Sequence, residues 1–243
     1  MVYSLTCGEV HDKTRAVIPL RDNIPTRTFP IITVTLMVVN TLLFLYAAFM
    51  STAAEKALVN RFGLVPREFI LSLYEHHLLL PYNILTVFTS MFLHGGFFHL
   101  GGNMLYLWIF GNNIEDAVGH LRFVVFYGLS GVAAAVCQIV YDPAASIPMI
   151  GASGAVSGVL GAYLLLYPYA RIKTLIFIFI FVTTVELPAI LLLTIWFFMQ
   201  VLFSYASGNQ GVAWSAHIGG FVFGLVTIKL FTLGRRRTPP RRR

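Results

Sequence analysis

Residues 84–114 read ILTVFTSMFLHGGFFHLGGNMLYLWIFGNNI, and the class of the protein turns on this stretch. A helix that crosses a bilayer needs about 20 predominantly apolar residues, so this run is too long for one untilted crossing. His94-Gly95-Gly96 punctuates it, because paired glycines interrupt helical runs. The reading is a span that starts near Phe97, preceded by an interfacial segment over residues 84–93. Working outward, the first span covers residues 30–50, the third 121–140 and the fourth 151–168. Residues 175–205 are again over-long, and Glu186 and Pro188 put the fifth span at 186–205 behind a membrane-apposed segment. The sixth covers 212–231. Composition agrees: 57% of the 243 residues are hydrophobic and 11% charged, with mean hydropathy +0.77. A soluble domain could not hide that much apolar surface. The expected fold is an all-α polytopic membrane protein, with six transmembrane helices in one domain over residues 30–233. Residues 51–96 form a long first loop, partly interfacial; residues 1–29 and the basic tail 234–243 flank the domain.

Six spans put both termini on one side. That side would carry Lys13, Arg15, Arg21, Arg27, Arg122, Arg171, Lys173, Lys229 and the six arginines of the tail, fourteen basic residues in all, against Lys56, Arg61 and Arg67 opposite. By the positive-inside rule the termini are cytoplasmic, and the plasma membrane is the expected location. The net charge of +7 is therefore read as topology and attraction to anionic lipid, with no nucleic-acid partner. Residues 1–30 are polar and mixed in charge, so no cleavable signal is expected. Cys7 and Cys137 fall in different environments, which predicts neither a disulfide nor thiol chemistry.

Polar side chains inside spans are costly and suggest function. Span two opens Phe98-His99-Leu100-Gly101-Gly102-Asn103, and four-residue spacing puts His99 and Asn103 on one helix face. Span four begins Gly151-Ala152-Ser153-Gly154-Ala155-Val156-Ser157-Gly158, and span six contains Trp214-Ser215-Ala216-His217-Ile218-Gly219-Gly220. All three descend from the non-cytoplasmic side. Ser153 and His99 then lie within a turn of that end, with His217 and Asn103 roughly 9 Å deeper. Gly154 and Gly158, and Ala216, Gly220 and Gly224, form small-residue faces that let helices approach closely in lipid. Packing through them would bring Ser153 and His217 together. A neutral imidazole could then take the serine proton during attack on a carbonyl. The Ser153 amide, His99 and Asn103 are candidate donors to the oxyanion. No Asp or Glu lies at this depth in those spans, so the expectation is a Ser–His dyad. Each residue alone has a plainer reading: Ser153 as helix-packing material, His217 as an interhelical hydrogen-bond partner, His99 with Asn103 as a structural pair. Trp196, Phe197 and Phe198 read as lipid-facing or packing aromatics.

The span opening Gly151-Ala152-Ser153-Gly154, the His217-Ile218-Gly219-Gly220 of the last span, and His94 to Asn103 with its glycine pairs resemble the rhomboid intramembrane proteases of the prokaryotic six-span type. The resemblance runs from Ile18-Pro19-Leu20-Arg21 to the sixth span. It implies a serine endopeptidase that cuts peptide bonds in or near transmembrane segments of membrane proteins, with Ser153 and His217 as the dyad and His99 and Asn103 binding the oxyanion. It also implies that span five and the loop 207–211 control access, with the active site opening to the extracytoplasmic side. Some members carry a tyrosine one turn after the nucleophile, packed on the histidine; Ser157 stands there in this chain.

Other classes fit less well. A zinc protease needs ligands spaced as in His-Glu-x-x-His, and that motif is absent, so neither metal nor cofactor is expected. Asp116 and Asp142 fall at span edges on opposite sides, which argues against an aspartyl protease. A transporter reading lacks an internal repeat. An inactive rhomboid-like binding protein is the alternative, although Ser153 and His217 are both present.

Overall fold

The computed structural model describes residues 17–178, 181–206 and 212–234. Cys7, Lys13, Arg15, the 207–211 loop and the arginine tail lie outside these residues. Among them the chain runs β1 Val17–Asp22, α1 Ile31–Ala48, α2 Thr52–Phe62, α3 Pro66–Tyr74, α4 Leu80–Thr89, α5 Phe97–Tyr106, a π-helical turn Leu107–Gly111, α6 Asn112–Val118, α7 His120–Tyr141, α8 Ser153–Leu166, β2 Arg171–Ile178, β3 Phe181–Pro188, α9 Ala189–Ala206 and α10 Trp214–Thr232. The protein is a mostly helical, apolar bundle. Helices α1, α7, α9 and α10 are each long and apolar enough to cross a membrane, and the run His77–Phe92 meets Phe97–Val118 at 85°. That break falls where His94-Gly95-Gly96 interrupts the sequence. At 14 residues, α8 is about 21 Å long at 1.5 Å per residue, shorter than the hydrocarbon layer. Its residues Gly154 to Tyr163 are all buried, so neighbouring helices shield it from lipid.

The over-long run 175–205 resolves into a hairpin followed by one helix. Strands β2 and β3 pair antiparallel, with Ile172 opposite Leu187 and Lys173 opposite Glu186. Strand β1 adds to the outer side of β2, placing Ile18 opposite Leu175. Ile172 and Thr174 are fully buried while Arg171 is exposed, the two-residue alternation of a half-buried strand. Residues 171–178 and 181–188 are therefore paired strands ahead of the fifth span, and β3 takes in Glu186–Pro188, so that helix begins at Ala189 rather than at 186. Helix α9 starts where Ala189 N–H donates to Ala170 O (2.8 Å) and Ile190 N–H to Pro168 O (2.8 Å).

Carboxylates tie the helix ends on the hairpin's side of the bundle. Glu115, fully buried as a side chain, accepts from Ile32 N (2.9 Å), Thr33 N (2.8 Å) and Thr33 Oγ1 (2.7 Å). It thereby satisfies the free amides at the start of α1, where negative charge is also favoured by the helix dipole. Asp116 accepts from Thr28 N and Oγ1. Arg122 donates to Phe231 O (3.0 Å) and Leu233 O (2.7 Å), closing the end of α10. These residues thus anchor the first and last helices, beyond the α6–α7 turn in which they lie. Asp22 accepts from Tyr163 Oη (2.5 Å) and Asn113 Nδ2 (2.6 Å). Burial raises its carboxyl above the ordinary carboxylate range, with both hydrogen bonds opposing.

Candidate active site

Helices α8 and α10 make the closest helix contact of the bundle. A Cβ placed on Gly220 would fall inside the Gly154 carbonyl, and one on Gly224 inside the Gly158 carbonyl. Only glycine admits that approach, and the gain in lipid is close van der Waals packing. The small-residue faces expected from the sequence are thus the ones in contact. Helix α7 closes the third side, with Ala134 against Gly154 and Cys137 against Gly219.

The chain before α8 is held by main-chain bonds. Leu64 and Met149 exchange both hydrogen bonds (3.1 and 2.7 Å), Arg67 N–H donates to Ala145 O (3.0 Å), and Gly151 N–H donates to Ser90 O (2.9 Å). Gly151 then turns with φ +122°, a conformation that glycine adopts readily and other residues rarely. This puts Ser153 in the first turn of α8, where backbone N–H groups have no helical partner.

Across the seam, Ser153 Oγ lies 2.8 Å from His217 Nε2, and His217 Nδ1 lies 2.8 Å from Gln200 Oε1 on α9. Two aromatic rings flank the imidazole: Trp214 edge-on at 5.9 Å and 88°, and Trp196 at 6.1 Å and 33°. Ser157 does not touch the ring; its hydroxyl donates back to Ser153 O (2.7 Å). The support for His217 therefore comes from α9 and from Trp214 rather than from the residue one turn after Ser153. Trp196 is accordingly an inward-facing packing residue, Phe197 stacks on Phe221 at 4.8 Å, and Phe198 is exposed.

His99 and Asn103 join the same space. Gly95 N–H donates to His99 Nδ1 (3.3 Å), so a neutral ring carries its proton on Nε2. That atom overhangs Gly151: a Cβ there would sit 2.6 Å from His99 Nε2 and 3.6 Å from Ser153 Oγ. Asn103 is buried and gives one amide hydrogen to His99 O (2.8 Å). Two cavities, of about 520 and 490 Å³, share His99, Ser153, Val212 and His217. The first runs under Met149 and Ile150; the second lies between α5 and α9 and is lined by Asn103, Ser157 and Trp196. All four side chains singled out in the sequence thus meet at one place. Gln200 was missed. Its only signal was an amide in the middle of an apolar span, one turn after Trp196.

A family model described as "Rhomboid domain" matches residues 81–233. Rhomboid protein 1, mitochondrial, of Saccharomyces cerevisiae is 37% identical over 97 residues, which cover 38% of this chain and 28% of that protein. Rhomboid protease GluP of Bacillus subtilis is 33% identical over 136 residues, 56% of this chain and 24% of that protein. Presenilin-associated rhomboid-like protein, mitochondrial, of Mus musculus is 32% identical over 143 residues, 56% of this chain and 35% of that protein. The matched region therefore spans about a third or less of each relative's length.

Proposed function

The chain belongs to the rhomboid family, and on that premise we propose that it is an intramembrane serine endopeptidase using Ser153 and His217. Family membership supports intramembrane proteolysis as the general function. The observation that carries the finer reading is the 2.8 Å contact between Ser153 Oγ and His217 Nε2 beneath an open cavity. In this mechanism Ser153 Oγ attacks the scissile carbonyl of a transmembrane substrate while His217 Nε2 takes its proton. The Ser153 amide, His99 Nε2–H and the second amide hydrogen of Asn103 receive the developing oxyanion. His217 then returns the proton to the leaving amine. Water entering through the 520 Å³ cavity hydrolyses the acyl-enzyme by the same acid–base exchange.

Its domain is the bundle from residue 30 to 233, crossing the bilayer six times. It sits in the plasma membrane with cytoplasmic termini, the cavity facing outward and the 51–96 loop partly in the interface. The three-to-fourteen partition of basic residues supports that orientation.

The test is cleavage of a panel of model transmembrane substrates by purified protein, wild type beside Ser153→Ala and His217→Ala. Each variant is expected to lose cleavage and Ser153 labelling by a fluorophosphonate while keeping the wild-type melting profile. Cleavage surviving in Ser153→Ala would remove the serine mechanism. A wild type that neither cleaves nor labels would point to a rhomboid-like binding protein.

A further inference from the structure

We infer that Gln200 is a positioning residue that sets the tautomer and orientation of the His217 imidazole; this rests on the reading that Ser153 and His217 carry the reaction. The side-chain amide of Gln200 has two distinguishable ends, and the surroundings decide which points where. Gln200 Nε2 lies 3.1 Å from Trp196 O. A carbonyl can only accept, so the amide nitrogen must face it. The amide oxygen then faces His217 Nδ1 at 2.8 Å. That oxygen also only accepts, so the proton of the neutral ring resides on Nδ1. Nε2 is left with a lone pair directed at Ser153 Oγ, 2.8 Å away, which is the form a general base requires. The opposite tautomer would press the Nδ1 lone pair against the amide oxygen and turn an N–H toward the nucleophile.

Burial gives this preference its strength. Gln200 is 5% exposed, so water cannot stand in for the lost acceptor, and a missing partner there costs more than at a surface. Trp214 and Trp196 restrict the ring plane while Gln200 restricts its rotation within that plane. A neutral amide does this without the cost of a carboxylate in the apolar layer. The orienting group comes from α9, whereas the nucleophile and base come from α8 and α10. Correct positioning of the base therefore requires α9 to be docked.

The titratable groups around His217 are few. His99 shares both cavities with it. Helix α7 presents Cys137 against Gly219, α8 carries Tyr163, which is bonded to Asp22, and α9 carries Tyr205, which is exposed. Among the described residues no carboxylate bonds the imidazole, so the Gln200 amide oxygen is the acceptor that faces Nδ1.

The experiment uses the full chain in detergent, with Gln200→Leu and Gln200→Glu beside wild type. Leu keeps the shape and removes both hydrogen bonds. It is expected to lower kcat about 10-fold, the effect of one hydrogen bond lost to the reacting imidazole, with KM changed less than about twofold. Glu restores the acceptor and should recover most of kcat. A Leu variant with wild-type kcat overturns the inference. Imidazole NMR of isotope-labelled His217 reads the tautomer whether or not the protein is active. The Nδ1-protonated form should dominate in wild type and lose that dominance in Gln200→Leu. Dominance of the Nε2-protonated form in wild type overturns the inference even if cleavage proceeds. Failure of wild type to label at Ser153, with the expected tautomer present, overturns the protease reading instead.

Discussion

Helices α8 and α9 both reach His217, and different physics holds each of them there. Helix α8 is buried along ten consecutive residues and meets α10 backbone to backbone through Gly154, Gly158, Gly220 and Gly224. Helix α9 buries only Ala189, Leu193 and Gln200, and exposes Ile190, Leu191, Ile195, Phe198, Met199 and Leu202. One contact is a rigid seam between main chains, and the other a line of side chains along one face. Displacing α8 would open carbonyl-to-glycine contacts with nothing to fill the gap. Displacing α9 exposes a narrow stripe, costing mainly the Gln200 hydrogen bond and the Trp196 packing. The comparison assigns precision to the seam and adjustability to the peripheral helix.

The largest expected effect comes from breaking the seam. Gly224→Leu would drive a side chain into the Gly158 backbone, which cannot rotate away as a side-chain neighbour could. Overpacking of this kind should cost about 3 kcal/mol. Cleavage and fluorophosphonate labelling should both disappear, because separating α8 from α10 also separates Ser153 from His217. Thermal unfolding in detergent checks the first effect and probe labelling the second. A variant with unaltered melting and labelling would mean that the seam is not what fixes the pair.

Asn103→Ala sharpens the comparison from the opposite side of the cavity. Helix α5 supplies no backbone seam to Ser153, so this substitution should remove chemistry without removing the fold. Loss of one oxyanion donor should lower kcat about 10- to 1,000-fold, with little movement in melting temperature beyond the lost bond to His99 O. An unchanged kcat would strike Asn103 from the oxyanion site and leave it as an amide bonded to the His99 carbonyl within α5.

The seam was legible in the sequence and the α9 contact was not, for a physical reason. Glycine at four-residue spacing in an apolar run has few uses other than close helix packing, so Gly154 and Gly158 indicate a partner helix from the sequence alone. Ser153, His217, His99 and Asn103 were legible because polar groups are costly in lipid and all four fell in the half of their spans nearest the expected outer side. Apolar length located helices α1, α7, α9 and α10 within a few residues of the expected bounds, and the bent run His77–Phe92 with Phe97–Val118 at the glycine break; α8 is shorter than a full crossing. Gln200 was hidden because one amide among apolar residues does not reveal which way its helix is turned. The hairpin over 171–188 was hidden because its alternating Arg171-Ile172-Lys173-Thr174 pattern dissolves into a continuous apolar run after Leu175. Strand β2 pairs with β3, and with β1 some 150 residues earlier in the chain, a long-range contact that no local pattern reveals.

The finest test of the comparison lies within α9 itself, between its two faces. Trp196 faces inward against His217 and Phe221, with ring centroids 6.1 and 5.9 Å away. Trp196→Ala removes both contacts and should lower kcat several-fold, at a stability cost of about 1 kcal/mol for the lost aromatic packing. Leu202 lies on the opposite side, 62% exposed, where lipid tails replace protein as its neighbours. Lipid is as apolar as leucine, so Leu202→Ala should change stability by less than about 0.5 kcal/mol and leave cleavage unaffected. Measured in bilayers, the two substitutions separate helix identity from helix face. Equal losses would mean that α9 acts through its general apolar character or its insertion, and the inward face would have no special part. A loss confined to Trp196 would leave the peripheral helix as a support for His217 along one stripe only, free on the rest of its surface to shift against lipid.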